Sequence, residues 1–169
     1  MRFISTTTSN GVAEQLFTLD DITGVLWSPA GVTGSRPLVL LCHGGGQHKK
    51  APGVLARAHR YVTACGFVAA AIDLPGHGER PRTEQEEQLR TAIQQGLVAG
   101  KPNGPDIARY NAQCAARAVP EWRATLDALQ KSDRVGVDGP VGFHGMSLGS
   151  AVGLPLVAAE PRITAAVLG

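Results

Sequence analysis

The chain has 169 residues, 43% of them hydrophobic and 18% charged, with a formal net charge of +2. That composition suits one globular domain with one core and argues against two. Lys and Arg are interspersed with Asp and Glu, so no basic stripe points to nucleic acid or to an anionic membrane surface. The amino terminus MRFISTTTSNG lacks the apolar core of a signal peptide. No window approaches the roughly 18 apolar residues of a membrane span, so the expected location is cytoplasmic. Cys42, Cys65 and Cys114 are odd in number and sit in apolar patterns, as reduced core thiols do. There is no C-x-x-C or H-x-x-x-H pair, and His43 and His48 flank a glycine loop, so neither a metal nor another cofactor is expected.

In chain order, GVAEQLFTL and DITGVLWSP read as two extended segments joined at Asp20 and Asp21, an antiparallel hairpin. LVLLC, Leu38 to Cys42, is an unbroken apolar run of the kind buried on both faces of a parallel sheet. APGVLARAHRYVTACG places Pro52 in a first helical turn, spaces Val54, Leu55, Ala58, Tyr61, Val62 and Cys65 helically, and closes at Gly66. FVAAAID, Phe67 to Asp73, is a second buried strand, completing a right-handed βαβ unit.

After the loop DLPGHGERPR, Thr83 with Glu86 three residues on forms a capping box ahead of Leu89, Ala92, Ile93 and Leu97. A Gly/Pro break precedes a long amphipathic helix through Ile107, Tyr110, Cys114, Ala118, Trp122, Leu126 and Leu129, which Pro120 should kink or divide. Residues 84 to 103 read as an extra piece, a small cap. VGFHG then predicts a strand, SLGSAVGLPLVAAE a helix with an awkward Pro155, and ITAAVLG a final strand. The predicted class is a single three-layer α/β domain over residues 1–169, a mostly parallel sheet of about six strands led by the hairpin.

VGFHGMSLGSAVG holds Gly145, Ser147 and Gly149 in the spacing G-x-S-x-G between a strand and a helix. A sharp turn there strains Ser147, and side chains at 145 or 149 would collide with neighbouring elements. The helix start leaves the Leu148 amide free to stabilise an oxyanion. A second amide is expected from LLCHGGGQ, from Gly45 first and Gly44 next, because glycine lets the backbone approach a carbonyl oxygen. Lys49 and Lys50 follow, but neither G-x-x-x-x-G-K-[ST] nor G-x-G-x-x-G is present, which argues against a nucleotide loop.

HGGG, DLPGHG and HGMSLG, each after a strand and in that order, resemble the α/β-hydrolase family, nearest its dienelactone hydrolase and prolyl-oligopeptidase-like esterase branches. The resemblance spans nearly the whole chain. It implies Ser147 as the nucleophile of a serine hydrolase, the amides of Leu148 and Gly45 as its oxyanion hole, and His43 as organiser of the oxyanion loop. A small acyl substrate, a carboxylic ester or thioester, would pass through an acyl-enzyme.

The family's triad runs Ser, acid, His, yet the residues after Ser147 contain neither His nor Asp, and their one carboxylate, Glu160, falls at the far end of the helix. His43 and His77 lie in loops at the strand ends, where fixing loop geometry is the expected task. His144 precedes the elbow as a core or supporting residue, His48 and His59 look exposed, and Asp73 is expected to hydrogen-bond within the DLPGHG turn. ITAAVLG would be a bare apolar edge. The expectation is therefore an incomplete domain, weakly active or inactive by itself. Its alternatives are a non-catalytic binding module that pairs through that last strand, and an acyltransferase.

Overall fold

The runs LVLLC and VAAAI contain nothing that wants water, and the fold puts them where none reaches. In the computed structural model, which describes residues 1–169, both are wholly buried strands at the centre of one sheet. The elements are β1 (Arg2–Ser9), β2 (Val12–Leu19), β3 (Ile22–Pro29), β4 (Leu38–Cys42), α1 (Pro52–Cys65), β5 (Val68–Ile72), α2 (Glu84–Val98), α3 (Gly104–Gln130), β6 (Val141–Gly145), α4 (Leu148–Ala159) and β7 (Ile163–Leu168). The strand order is β1-β2-β3-β5-β4-β6-β7, antiparallel across β1, β2, β3 and β5 and parallel from β5 through β4 and β6 to β7.

Alternation along the strands divides the core in two. On one face Val25, Trp27, Val39, Leu41, Ala69 and Ala71 meet Val54, Ala58 and Val62 of α1. On the other, Leu26, Leu40, Ala70, Ile72 and Phe143 meet α3 and α4 through Ala118, Trp122, Leu126, Val152 and Leu156. Trp122 packs edge-on to Phe143, ring centroids 6.2 Å apart. Each fully buried large side chain contributes about 1.5–3 kcal/mol by leaving water. This is the three-layer α/β architecture that the sequence predicts.

Four features differ from the sequence reading. A seventh strand, β1, extends the hairpin into a three-stranded meander, and all eight of its residues are exposed. Its Ser and Thr residues give no apolar alternation, but Asn10-Gly11, with φ of 50° and 75°, is the two-residue hairpin turn that marks it. Pro120 does not divide α3, which runs unbroken through it from Gly104 to Gln130. Cys114 and Ala118 before it and Trp122, Leu126 and Leu129 after it enter one core, which offsets the lost backbone hydrogen bond. Cys65 is exposed at the end of α1, whereas Cys42 and Cys114 are buried. His59 is half-buried rather than exposed.

The capping box at Thr83 is complete: the Glu86 amide donates to Thr83 Oγ1 (3.2 Å) and the Thr83 amide to Glu86 Oε2 (2.8 Å). The helix it starts packs mainly against α3, burying Leu89 and leaving Leu97 58% exposed. At the two sheet edges, β1 and β7 are open. In β7 only Ile163 is buried, and Val167 and Leu168 face solvent. No helix is long and apolar enough to cross a membrane.

Candidate functional site

Because β4, β5 and β6 are parallel, the loops HGGGQ, DLPGHG and GMSLG emerge at one end of the sheet. Ser147 lies in the turn from β6 to α4 with φ 55° and ψ −117°, a conformation that side chains rarely adopt. The turn is tight on both sides. A Cβ at position 145 would lie 2.3 Å from the Gly149 carbonyl oxygen, and one at 149 would lie 2.5 Å from that of Cys42. Glycine at both positions is therefore a packing requirement. Ser147 itself is exposed.

Two amides beside Ser147 have no acceptor. Leu148 is the first residue of α4, where the helix cannot satisfy its N–H. In the loop after β4, Gly45 N–H is likewise unused, whereas Gly44 N–H donates to the Gln47 side-chain oxygen at 3.3 Å. A Cβ at position 44 would lie 3.7 Å from Ser147 Cβ, and one at position 45 would lie 3.9 Å from Leu148 Cβ, so the free amides belong to adjoining residues.

The histidines and Asp73 are occupied elsewhere. His43 is fully buried; its Nε2 accepts from the Leu74 amide at 3.1 Å, so Nδ1 carries the proton and donates to the Gly44 carbonyl at 2.8 Å. Burial pushes its pKa down to about 4, against the opposing pull of that carbonyl. His77 donates from Nδ1 to Pro75 O (2.8 Å), leaving Nε2 to accept from the Tyr110 hydroxyl (3.3 Å), and burial lowers its pKa too. The two rings sit 5.2 Å apart. His144 hydrogen-bonds the Tyr61 hydroxyl at 3.1 Å on the α1 side of the sheet, and exposed His48 accepts from the Lys50 amide. None of these rings reaches Ser147.

Asp73 is wholly buried and accepts from the Lys49 amide (2.7 Å), Lys49 Nζ (2.7 Å), Thr23 Oγ1 (2.8 Å) and the Glu79 amide (3.2 Å). Burial alone would raise its pKa; the Lys49 and Thr23 bonds outweigh that and hold it below the usual carboxylate range. In the sequence Lys49 stands out only as part of a possible phosphate loop. It is instead a buried cation bridging Asp73 and Glu79 (2.8 Å), and thereby ties the first loop to the second. Arg80 extends the tie to α3 through a bidentate pair with Glu121 at 2.6 and 2.7 Å. The alternation in HKKAPG gives no hint of this, since the partner is a strand away.

Glu160 closes α4 at its far end, buried against Arg162, whose hydrogen bonds bring its pKa down to about 2. Two mainly apolar cavities are lined by residues other than Ser147. One of about 360 Å³ runs under β7 beside Tyr61 and Phe67, and one of about 550 Å³ lies between α3 and α4.

Neither a family model nor a curated protein matches the chain. Among solved structures, a cold-adapted esterase from an Arctic intertidal metagenomic library, with bound PEG, is 32% identical, with a TM-score of 0.74 over 100% of this chain and 65% of its own. The chain shares the α/β-hydrolase fold with this esterase. A putative acetyl xylan esterase from Bacteroides fragilis NCTC 9343 (18% identical, TM-score 0.65, 98% of this chain and 46% of its own) shares the α/β-hydrolase fold. So does a thermostable carboxyl esterase from Bacillus coagulans, in complex with glycerol (18%, 0.59, 95% and 44%). The chain thus spans 65% of the length of the metagenomic esterase and less than half of that of the other two.

Proposed function

We propose that the chain carries the nucleophile and oxyanion-binding parts of a serine esterase acting on small carboxylic esters or thioesters. The observation that carries this reading is Ser147, held at φ 55° on a strand-to-helix turn beside two amides without acceptors, those of Leu148 and Gly45. The esterase neighbours support ester cleavage as the general chemistry. In the proposed reaction Ser147 Oγ forms a bond to the acyl carbon as its proton passes to a base. The carbonyl π electrons move onto oxygen, where the Leu148 and Gly45 amides stabilise the charge. Collapse of that intermediate expels the alcohol or thiol with a proton and leaves the acyl group on Ser147. Water then adds to the same carbon and releases the acid.

No side chain hydrogen-bonds the Ser147 hydroxyl: the nitrogens of His43 and His77 are bonded elsewhere and His144 is turned to Tyr61. His43, His77 and Asp73 are assigned the task of fixing the loops. Slow acylation and little turnover are expected of the chain by itself. The test is intact-mass detection of fluorophosphonate labelling together with p-nitrophenyl ester hydrolysis. Slow labelling that vanishes in Ser147→Ala, with near-background turnover, is the expected result. Equal labelling of Ser147→Ala would overturn the nucleophile; fast labelling with ordinary turnover would overturn the missing base. Adding an alcohol separates hydrolysis from acyl transfer, because a transferase would form the new ester.

The exposed β7 favours a second reading, a binding module that pairs with another copy through this strand. Light scattering on a size-exclusion column separates the two: a monomer across the concentration range removes the pairing.

A further inference from the structure

Three successive glycines follow His43, and a glycine backbone can rotate its peptide planes at small energetic cost. An oxyanion donor on such a loop needs something to aim it. From the geometry we infer that Gln47 is the positioning residue that does so; the inference rests on the reading of Ser147 as nucleophile. The side-chain oxygen of Gln47 accepts the Gly44 N–H at 3.3 Å, and its own backbone N–H donates to the Gly44 carbonyl at 3.2 Å. His43 Nδ1 donates to that same carbonyl at 2.8 Å.

One residue thus grips both peptide units that meet at Gly44. The consequence for Gly45 follows from covalent geometry. Its N–H belongs to the same planar trans peptide as the Gly44 carbonyl, and in such a unit the two point in opposite directions. With the carbonyl held by His43 and Gln47, the Gly45 N–H is held facing the other way, without an acceptor, next to Leu148. The Gln47 carboxamide also occupies the Gly44 N–H and removes it as a competing donor. Sequence alone leaves Gly45 and Gly44 both open; Gln47 is what distinguishes them. The side chain is solvent-exposed and outside the core, so its loss leaves the fold intact.

The test uses the full chain with Gln47→Ala and Gln47→Glu, read two ways. Amide hydrogen exchange by NMR is expected to give a protected Gly44 in the unsubstituted chain, loss of that protection in Gln47→Ala, and its recovery in Gln47→Glu, which keeps an acceptor. Fluorophosphonate labelling of Ser147 is expected to slow by up to about a hundredfold in Gln47→Ala, the loss that a misplacement of about 1 Å can cause, with an unchanged unfolding midpoint. Equal Gly44 exchange in Gln47→Ala and the unsubstituted chain would overturn the clamp. Deprotected Gly44 with an unchanged labelling rate would overturn its positioning role. Labelling of the unsubstituted chain no faster than of Ser147→Ala would overturn the nucleophile reading and the positioning role with it, while the exchange data still decide the clamp.

Discussion

The three loops at the carboxyl ends of β4, β5 and β6 treat their polar groups in opposite ways. Around Asp73 and His43 each buried polar atom is matched: Lys49, Thr23 and the Glu79 amide surround the carboxylate, and both imidazole nitrogens of His43 are engaged. Around Ser147 two amides are unmatched and the backbone is strained. The matched region behaves as scaffold, since satisfied groups in a low-dielectric interior have little reason to move or react. The unmatched region offers two free N–H groups, which in the proposed reaction bind a developing charge. The titratable residues that look most chemical in the sequence therefore belong to the scaffold, and the groups proposed to act on substrate are mostly backbone.

Breaking the matched side should have the largest effect. Lys49→Met leaves the Asp73 carboxylate buried without its cation, and is expected to lower stability by about 3–5 kcal/mol in urea unfolding; adding Asp73→Asn should recover part of that loss. A smaller change would show that water reaches Asp73. Position 149 is a steric test of the junction between the two regions. Gly149→Ala drives a Cβ to 2.5 Å from the Cys42 carbonyl oxygen and should cost about 1–3 kcal/mol through forced backbone shifts.

On the unmatched side the sign reverses. Ser147→Gly relieves a conformation that glycine adopts freely, so the midpoint should rise by the equivalent of about 1 kcal/mol while labelling disappears. A fall in stability would mean that the turn is not strained.

Acid sharpens the same contrast. His43 has its pKa lowered to about 4, so the unfolded chain binds the proton more readily than the folded one. Stability must then fall as pH drops from the ordinary imidazole range through about 4, and be indifferent to His43 above it. Asp73, also lowered, acts with the same sign further down: its contribution is present above the usual carboxylate range and lost as pH falls through its folded value. Replacing His43 with Gln should flatten the slope between pH 6.5 and about 4; an unaltered slope would assign it to other groups.

Much of the fold is legible without coordinates because its signals are local. LVLLC and VAAAI lack polar residues and so name the central strands; Thr83 with Glu86 names a helix start; Pro52 and Gly66 bracket α1. The missed strand, β1, fails by the same standard. It buries nothing, so only the Asn10-Gly11 turn betrays it. The strain at Ser147 is readable too, as the glycines around it have no other packing reason to stand where they do.

The pairing of those local pieces is not readable. Lys49 and Asp73 are 24 residues apart and meet because β4 and β5 run parallel, bringing the starts of their following loops together. The same alignment sets His43 against Leu74, and the packing of α3 on that face of the sheet sets Tyr110 against His77. The choice of Gly45 over Gly44 as the free donor is finer still. It depends on which peptide the Gln47 carboxamide reaches, a matter of about an ångström in a loop where glycine permits either orientation. Composition and periodicity constrain each segment through its own burial and dihedral preferences; hydrogen-bond partners across loops follow only once the strands are set side by side.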